Sequence, residues 1–241
     1  MSLNESMLGL TNGKPPELVM FDLDGTLIDS VPDIAVAIDR MLESIGRSAV
    51  GESQVRNWVG NGSAALVARA LMNRLIPSEQ IDQTLDDLKT NQAELWNKGV
   101  AGFQHFYSND CAEHTRIYPG VIEFLDYLAE RQVPMAILTN KPTLFTGPIL
   151  EALKLDHYFG QVVCGDTCER KKPEPDQLHY LLEKYDTKAE RSLMIGDSIN
   201  DVLAARNANV PVIAVSYGYN YDGPIANSNP DMTVDSLIEL I

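Results

Sequence analysis

The 241-residue chain predicts an α/β fold: a doubly wound, Rossmann-like parallel sheet with a helical domain inserted after its first strand. Three observations predict it. The apolar run Val19-Met20-Phe21 ends in Asp22-Leu23-Asp24-Gly25-Thr26, a strand that delivers two carboxylates to its end. The next eighty or so residues keep helical spacing and show no buried strand. From Tyr118 onward, short apolar runs alternate with amphipathic stretches, the pattern of a parallel sheet covered on both faces.

In chain order, residues 1–17 are polar, carry Gly13 and Pro15-Pro16, and are expected to form a flexible N-terminal tail. Residues 18–31 hold the first strand. Residues 32–116 are read as the insertion, joined near Ser30-Val31-Pro32 and Ile117-Tyr118-Pro119 to a core of residues 18–31 and 117–241. In the insertion, Ile34, Ala37, Ile38, Met41, Leu42 and Ile45 trace one helical face. Leu66, Val67, Ala70 and Leu71 trace another, with Ser63 as its expected N-cap. Ile81, Leu85, Leu88 and Leu95 predict a third, longer helix. Further strands are expected at residues 135–139, 161–164, 193–196 and 210–215.

The formal net charge of −15 disfavours nucleic acids and anionic membranes as partners, since both reward clustered cations. No long apolar span and no signal-peptide pattern is present, so the expectation is a soluble cytoplasmic protein. Cys111, Cys164 and Cys168 are an odd set without an export signal, which argues against a disulfide framework. Cys164 and Cys168 lack a nearby second pair, and the four histidines are scattered, so the cysteines read as ordinary thiols rather than zinc ligands.

Buried carboxylates at a strand end require a cation, a partner or water. Open parallel sheets bind ligands beyond the carboxyl ends of their strands. Two further strand ends carry polar groups: Thr139-Asn140, and Asp197 with Asp201. Lys171-Lys172-Pro173-Glu174-Pro175 adds a cation in a proline-restrained segment. Nucleophile, metal ligands, hydroxyl and amide donors and a fixed positive charge together form a kit for moving a phosphoryl group. Asp22 and Asp24 start on one side of the strand with Leu23 opposed. Either lysine of the pair could supply the charge.

In order, Asp22-Leu23-Asp24-Gly25-Thr26, Leu138-Thr139-Asn140, Lys172-Pro173-Glu174-Pro175 and Gly196-Asp197-Ser198-Ile199-Asn200-Asp201 resemble the four motifs of the haloacid dehalogenase superfamily of aspartate-dependent phosphatases. That resemblance implies a helical cap domain for the insertion. It implies Asp22 as nucleophile through an aspartyl-phosphate and Asp24 as general acid and then base. Thr139, Asn140 and Lys172 would bind the phosphate, Lys172 being chosen because it directly precedes Pro173 as the family's lysine does. The implied metal is Mg²⁺, held by Asp22, Asp197 and the main-chain carbonyl of Asp24, with Asp201 binding directly, through water or by orienting other groups.

A closer likeness, through Trp58-Val59-Gly60-Asn61-Gly62, Tyr118-Pro119-Gly120-Val121 and Val215-Ser216-Tyr217-Gly218-Tyr219-Asn220-Tyr221, is to bacterial phosphoglycolate phosphatases, implying 2-phosphoglycolate as substrate. The chain departs from that pattern at Asn220, where glycine is expected after the tyrosine. Gly60-Asn61-Gly62 is the candidate cap loop for specificity, since glycines let backbone N–H groups approach a ligand. Donors near Ser63, or Arg56 or Arg69, are candidates for a substrate's second charge. A sugar-phosphate phosphatase, a pyrophosphatase and a phosphomutase share this core chemistry. A phospho-accepting signalling module shares its acidic pocket, but the Asp-Leu-Asp-Gly-Thr turn and the helical insertion favour the enzyme.

Overall fold

The computed structural model describes residues 4–219 and 223–241, so Asn220, where the chain departs from the subfamily pattern, lies outside the described residues. Contacts divide the chain into two compact units. One runs through Asp29 and resumes at Arg116–Ile241; the other is Ser30–Thr115.

The segment expected to be a flexible tail contains helix α1 (Glu5–Leu10), with Asn4 as its N-cap accepting from the Ser6 N–H. Met7 is fully buried, the Asn4 N–H donates to the Tyr127 hydroxyl at 2.9 Å, and Arg191 donates to the Thr11 carbonyl at 2.7 Å. Six residues are too few to display a helical period, so a single buried anchor escapes pattern reading. Strand β1 (Leu18–Phe21) follows, buried throughout, and then the two-residue strand β2 (Ile28–Asp29).

The second unit is helical. Helix α2 (Val31–Ser44) carries Pro32 in its first turn, where the missing N–H is not needed, and buries Ile34, Ala37, Ile38, Met41 and Leu42. Helices α3 (Glu52–Arg56), α4 (Ser63–Met72), α5 (Ser78–Asn91) and α6 (Ala93–Asn109) follow. Two expectations need correction. The residue capping α4 is Gly62, at φ +85°, and Ser63 is already helical. The stripe from Ile81 to Leu95 is two helices, because Gln92 leaves helical geometry at φ −133°, ψ 36°. The Asp33 carboxylate, buried, accepts the N–H groups of His114 and Thr115 and the Thr115 hydroxyl at 2.7–2.9 Å, tying the start of this unit to its end.

Back in the first unit, β3 (Arg116–Ile117) pairs antiparallel with β2. Then come α7 (Val121–Glu130), β4 (Met135–Leu138), α8 (Thr143–Ala152), β5 (Gln161–Val163), α9 (Asp176–Lys184), β6 (Ser192–Gly196), α10 (Ile199–Asn207), β7 (Val212–Val215) and β8 (Met232–Val234). Six strands form one parallel sheet in the order β5-β4-β1-β6-β7-β8. The edge strand β8 is short and only half-buried, which hides it from a search for apolar runs. β1, β4, β6 and β7 are buried along their whole length, as strands covered on both faces must be. Chain order reverses at β1, with β4 on one side and β6 on the other, so a crevice forms beyond the carboxyl ends of these three strands.

Candidate active site

Asp22 extends β1 by one residue, its N–H donating to the Ile195 carbonyl at 2.9 Å, so its position is set by the sheet. The chain then turns through Gly25 at φ +93°, and a Cβ there would run into the Asp197 carboxylate. Glycine is required twice over, for the backbone angle and for the close approach.

Lys172 is buried, and its ammonium spends all three donors: on Asp22 Oδ1 at 2.8 Å, Asp201 Oδ1 at 2.6 Å and the Leu138 carbonyl at 2.8 Å. Its backbone is stitched in place from both sides. Asn140 Nδ2 donates to the Lys172 carbonyl at 3.0 Å, and the Lys172 N–H donates to Gln177 Oε1 at 3.2 Å. Gln177 in turn donates to the carbonyls of Thr139 and Cys164. Gln177 was not expected from sequence; a lone glutamine on an amphipathic helix gives no signal. Asn140, expected to donate to a phosphate, gives one amide N–H to the Lys172 carbonyl. Thr139 is buried, and its hydroxyl accepts the Lys141 N–H at 3.1 Å, which leaves the hydroxyl proton to donate.

Asp197 follows β6. Its Oδ1 accepts the Thr26 hydroxyl at 3.0 Å and its Oδ2 the Tyr219 N–H at 2.7 Å. A Cβ on Gly218 would overlap the Asp197 side chain, so the segment after β7 closes directly on this carboxylate. Tyr217 and Tyr219 anchor that segment through hydroxyl bonds to the Thr26 carbonyl at 2.7 Å and Asp29 at 2.8 Å. Asp201 completes a capping box at the start of α10: its Oδ2 accepts the Ser198 N–H and hydroxyl, while Oδ1 takes Lys172. Two roles are thus visible for Asp201, capping the helix and holding the lysine.

Asp24 stands apart. Both its oxygens lie 3.0 Å from the ammonium of Lys141, itself nearly buried. Lys141 was missed in the sequence, although it directly follows Thr139-Asn140 and is the first cation after that strand end. The site therefore contains two cation-carboxylate sets, Lys172 with Asp22 and Asp201, and Lys141 with Asp24.

In the helical unit, Gly60 and Gly62 both have positive φ. Asn61 between them accepts from Arg69 Nη2 at 2.8 Å and donates to Ser78 at 3.2 Å. Arg69, a sequence candidate for meeting a substrate charge, is fully buried and donates also to the carbonyls of Trp58 and Ile76 at 2.5–3.1 Å. It braces the loop from inside. Arg56, the other candidate, is half-buried and pairs with Glu52 one helical turn away.

One carboxylate oxygen from each of Asp22, Asp197 and Asp201 lies within 4.8 Å of the others. Burial, opposed by Lys172 and aided by Asp201 and Asp24, lifts Asp22 to about 7. Asp197 is raised well above the usual carboxylate range by burial first, then by Asp201 and Asp22. Burial works against the charge on Lys172, but Asp201 and Asp22 outweigh it and raise its pKa. Three clustered acids, two of them on one ammonium, with lone pairs to spare and oxygen donors alone, fit a hard divalent cation. The Asp24 carboxylate is not one of the three.

A family model described as haloacid dehalogenase-like hydrolase matches residues 19–215. The phosphoglycolate phosphatase of Pseudomonas savastanoi pv. phaseolicola is 46% identical over 229 residues, covering 95% of this chain and 80% of that one. The phosphoglycolate phosphatase of Vibrio parahaemolyticus is 44% identical over 225 residues, 93% of this chain and 94% of its own. Among solved structures, a predicted phosphoglycolate phosphatase from Haemophilus somnus 129PT superposes with a TM-score of 0.81 at 32% identity, over 92% of this chain and 95% of that one. No helix among the described residues is long and apolar enough to cross a membrane. The family match over most of its length, with relatives at 44–46% identity across more than nine-tenths of the chain, places the chain in the haloacid dehalogenase-like hydrolases.

Proposed function

We propose that the protein is a Mg²⁺-dependent phosphomonoester hydrolase that converts 2-phosphoglycolate and water to glycolate and phosphate, as a cytoplasmic enzyme acting on a small metabolite. The observation that carries the chemistry is the separation of two carboxylates on one strand end: Asp22 on Lys172 at 2.8 Å and Asp24 on Lys141 at 3.0 Å. One acid is held to attack, the other to handle the proton.

In this reading Asp22 attacks phosphorus, forming an aspartyl-phosphate and splitting hydrolysis into two displacements. Asp24 gives a proton to the departing alkoxide, then takes one from the water that attacks the acyl phosphate. Lys172 offsets charge on the nucleophile and the transferring group, and the Thr139 hydroxyl donates to a phosphate oxygen. Asp22, Asp197 and Asp201 would hold the metal, with the Asp24 main-chain carbonyl as a further ligand. Bound there, Mg²⁺ supplies positive charge that lets an acidic pocket accept a phosphate. The loop of Gly60, Asn61 and Gly62, braced by Arg69, is proposed as an element of substrate selection.

The names of the relatives at 42–46% identity support 2-phosphoglycolate over sugar phosphates, pyrophosphate or a mutase reaction. The test is Mg²⁺-dependent phosphate release from a panel of 2-phosphoglycolate, sugar phosphates, pyrophosphate and nucleoside monophosphates, with Asp22→Asn as control. Preference for 2-phosphoglycolate, abolished in the variant, is the expected result. Preference for another ester overturns the substrate; a stable phospho-aspartate without turnover would favour a signalling module.

A further inference from the structure

We infer that Lys141 is the specificity-determining cation that receives the carboxylate of the substrate, an inference that rests on the 2-phosphoglycolate reading above and names the group that recognises the acid. The buried lysines among the described residues are Lys141 and Lys172. Lys172 has its three donors committed to Asp22, Asp201 and a main-chain carbonyl, so it has no donor to spare for a second substrate anion. Lys141 already presents its ammonium to a carboxylate, symmetrically, with both Asp24 oxygens at 3.0 Å.

Position then links the two anions. As general acid, Asp24 has to come within hydrogen-bond reach of the ester oxygen that leaves. In a 2-phospho carboxylic acid the carboxylate sits on the carbon that bears this oxygen. The substrate carboxylate is therefore delivered beside Asp24, next to the ammonium that Asp24 holds. A lysine suits such sharing, because its compact charge carries rotatable donors on a flexible stem. The base of that stem is fixed: the Lys141 N–H donates to Thr139 Oγ1 at 3.1 Å, and its carbonyl accepts the Gly165 N–H at 3.0 Å. Gly165 is pressed so closely on the Asn140 carbonyl that a Cβ there would collide with it. The lysine thus springs from the same rigid strand end that presents the phosphate-binding hydroxyl, which keeps the two anion positions at a set spacing. A phosphomonoester without the carboxylate brings no second anion to the Lys141 ammonium.

The test compares 2-phosphoglycolate with ethyl phosphate, the same ester lacking the carboxylate, on the full chain with Mg²⁺. Wild type is expected to prefer 2-phosphoglycolate. In Lys141→Met the ratio of the two kcat/KM values should fall by about 10- to 100-fold, the size of a lost charge-assisted hydrogen bond, with the loss carried by KM. Equal losses on both esters would make Lys141 a support for Asp24 and overturn the inference. Absence of the preference in wild type would instead sink the substrate reading, and the inference with it. Should Lys141→Met misfold, because it leaves the Asp24 carboxylate without its cation, Asp24→Asn and Asp24→Asn/Lys141→Met remove that problem. Calorimetric binding of 2-phosphoglycolate about tenfold weaker in the double variant than in Asp24→Asn supports the assignment; equal binding overturns it.

Discussion

The metal-free site should make the protein less stable as pH rises, and Asp22→Asn isolates the cause. Burial, aided by Asp201 and Asp24 and opposed by Lys172, lifts the Asp22 carboxyl from its ordinary 3.8 to about 7. An acid whose folded pKa is raised costs nothing below its unfolded value, where it is protonated in both states. The cost grows as pH climbs through the interval and is complete above the folded pKa. At 1.36 kcal/mol per pH unit the whole interval is worth about 4 kcal/mol, of which about 1 kcal/mol is already spent by pH 4.5. Asparagine cannot ionise, so the stability difference between variant and wild type, both in chelator, should move in favour of the variant by about 3 kcal/mol from pH 4.5 to pH 8. Any fixed effect of losing the contact with Lys172 cancels in that change. For a chain of this length the shift corresponds to roughly 6–12 °C in Tm. Asp22 is also one cause of the rise at Asp197, so removing its charge adds to the same sign. The raised pKa of Lys172 acts only in the alkaline range, above the window. Thermal and urea unfolding of both proteins across pH 4.5–8 is the assay. A difference that stays constant, or moves against the variant, would refute the reasoning.

Mg²⁺ at a hundred times its pH 8 dissociation constant should stabilise the wild type by about 2.7 kcal/mol at pH 8, and the same concentration should stabilise it less at pH 5, where protons compete for the same carboxylates. Equal Tm values with Mg²⁺ and with chelator at pH 8 would count against the three-carboxylate site. Gly218→Ala places a methyl group against Asp197 and should weaken Mg²⁺ binding, read by calorimetry, by about 10- to 100-fold; unchanged affinity would show that the segment yields freely. Arg69→Met withdraws the guanidinium from Trp58, Asn61 and Ile76 and should cost about 3–5 kcal/mol. Limited proteolysis should then cut near residues 58–62 first, and resistance equal to wild type would contradict the bracing role.

Strand ends were legible because their signal is local: apolar residues stop and acids begin at Phe21-Asp22 and at Gly196-Asp197. Bridging groups were not, because each depends on a partner remote in sequence. Lys141 finds Asp24 across 117 positions, and Gln177 reaches the Thr139 carbonyl across 38. Arg69 looked like a free cation until its loop folded around it, and the break at Gln92 lies inside an unbroken apolar stripe. Helix α1 is held by contacts to residues such as Tyr127 and Arg191, which no window around Met7 contains.

Overall charge was equally silent on the site. A formal −15 spread over the chain does not say where a cation is wanted. The local balance does. Lys141 and Asp24 neutralise one another, whereas the cluster of Asp22, Asp197 and Asp201 has one ammonium, that of Lys172 on Asp22 and Asp201; when all three acids are ionised, two negative charges are left over within one buried cluster. Without a cation the cluster lowers that excess by holding protons, which is why burial and mutual repulsion raise Asp22 and Asp197 together. A divalent cation held by the three acids would offset that excess and favour ionised Asp22, the form the proposed nucleophile needs. In the proposed mechanism, metal binding and activation of Asp22 would then be one event, and the pH profile of Asp22→Asn in chelator reads the energy that would couple them.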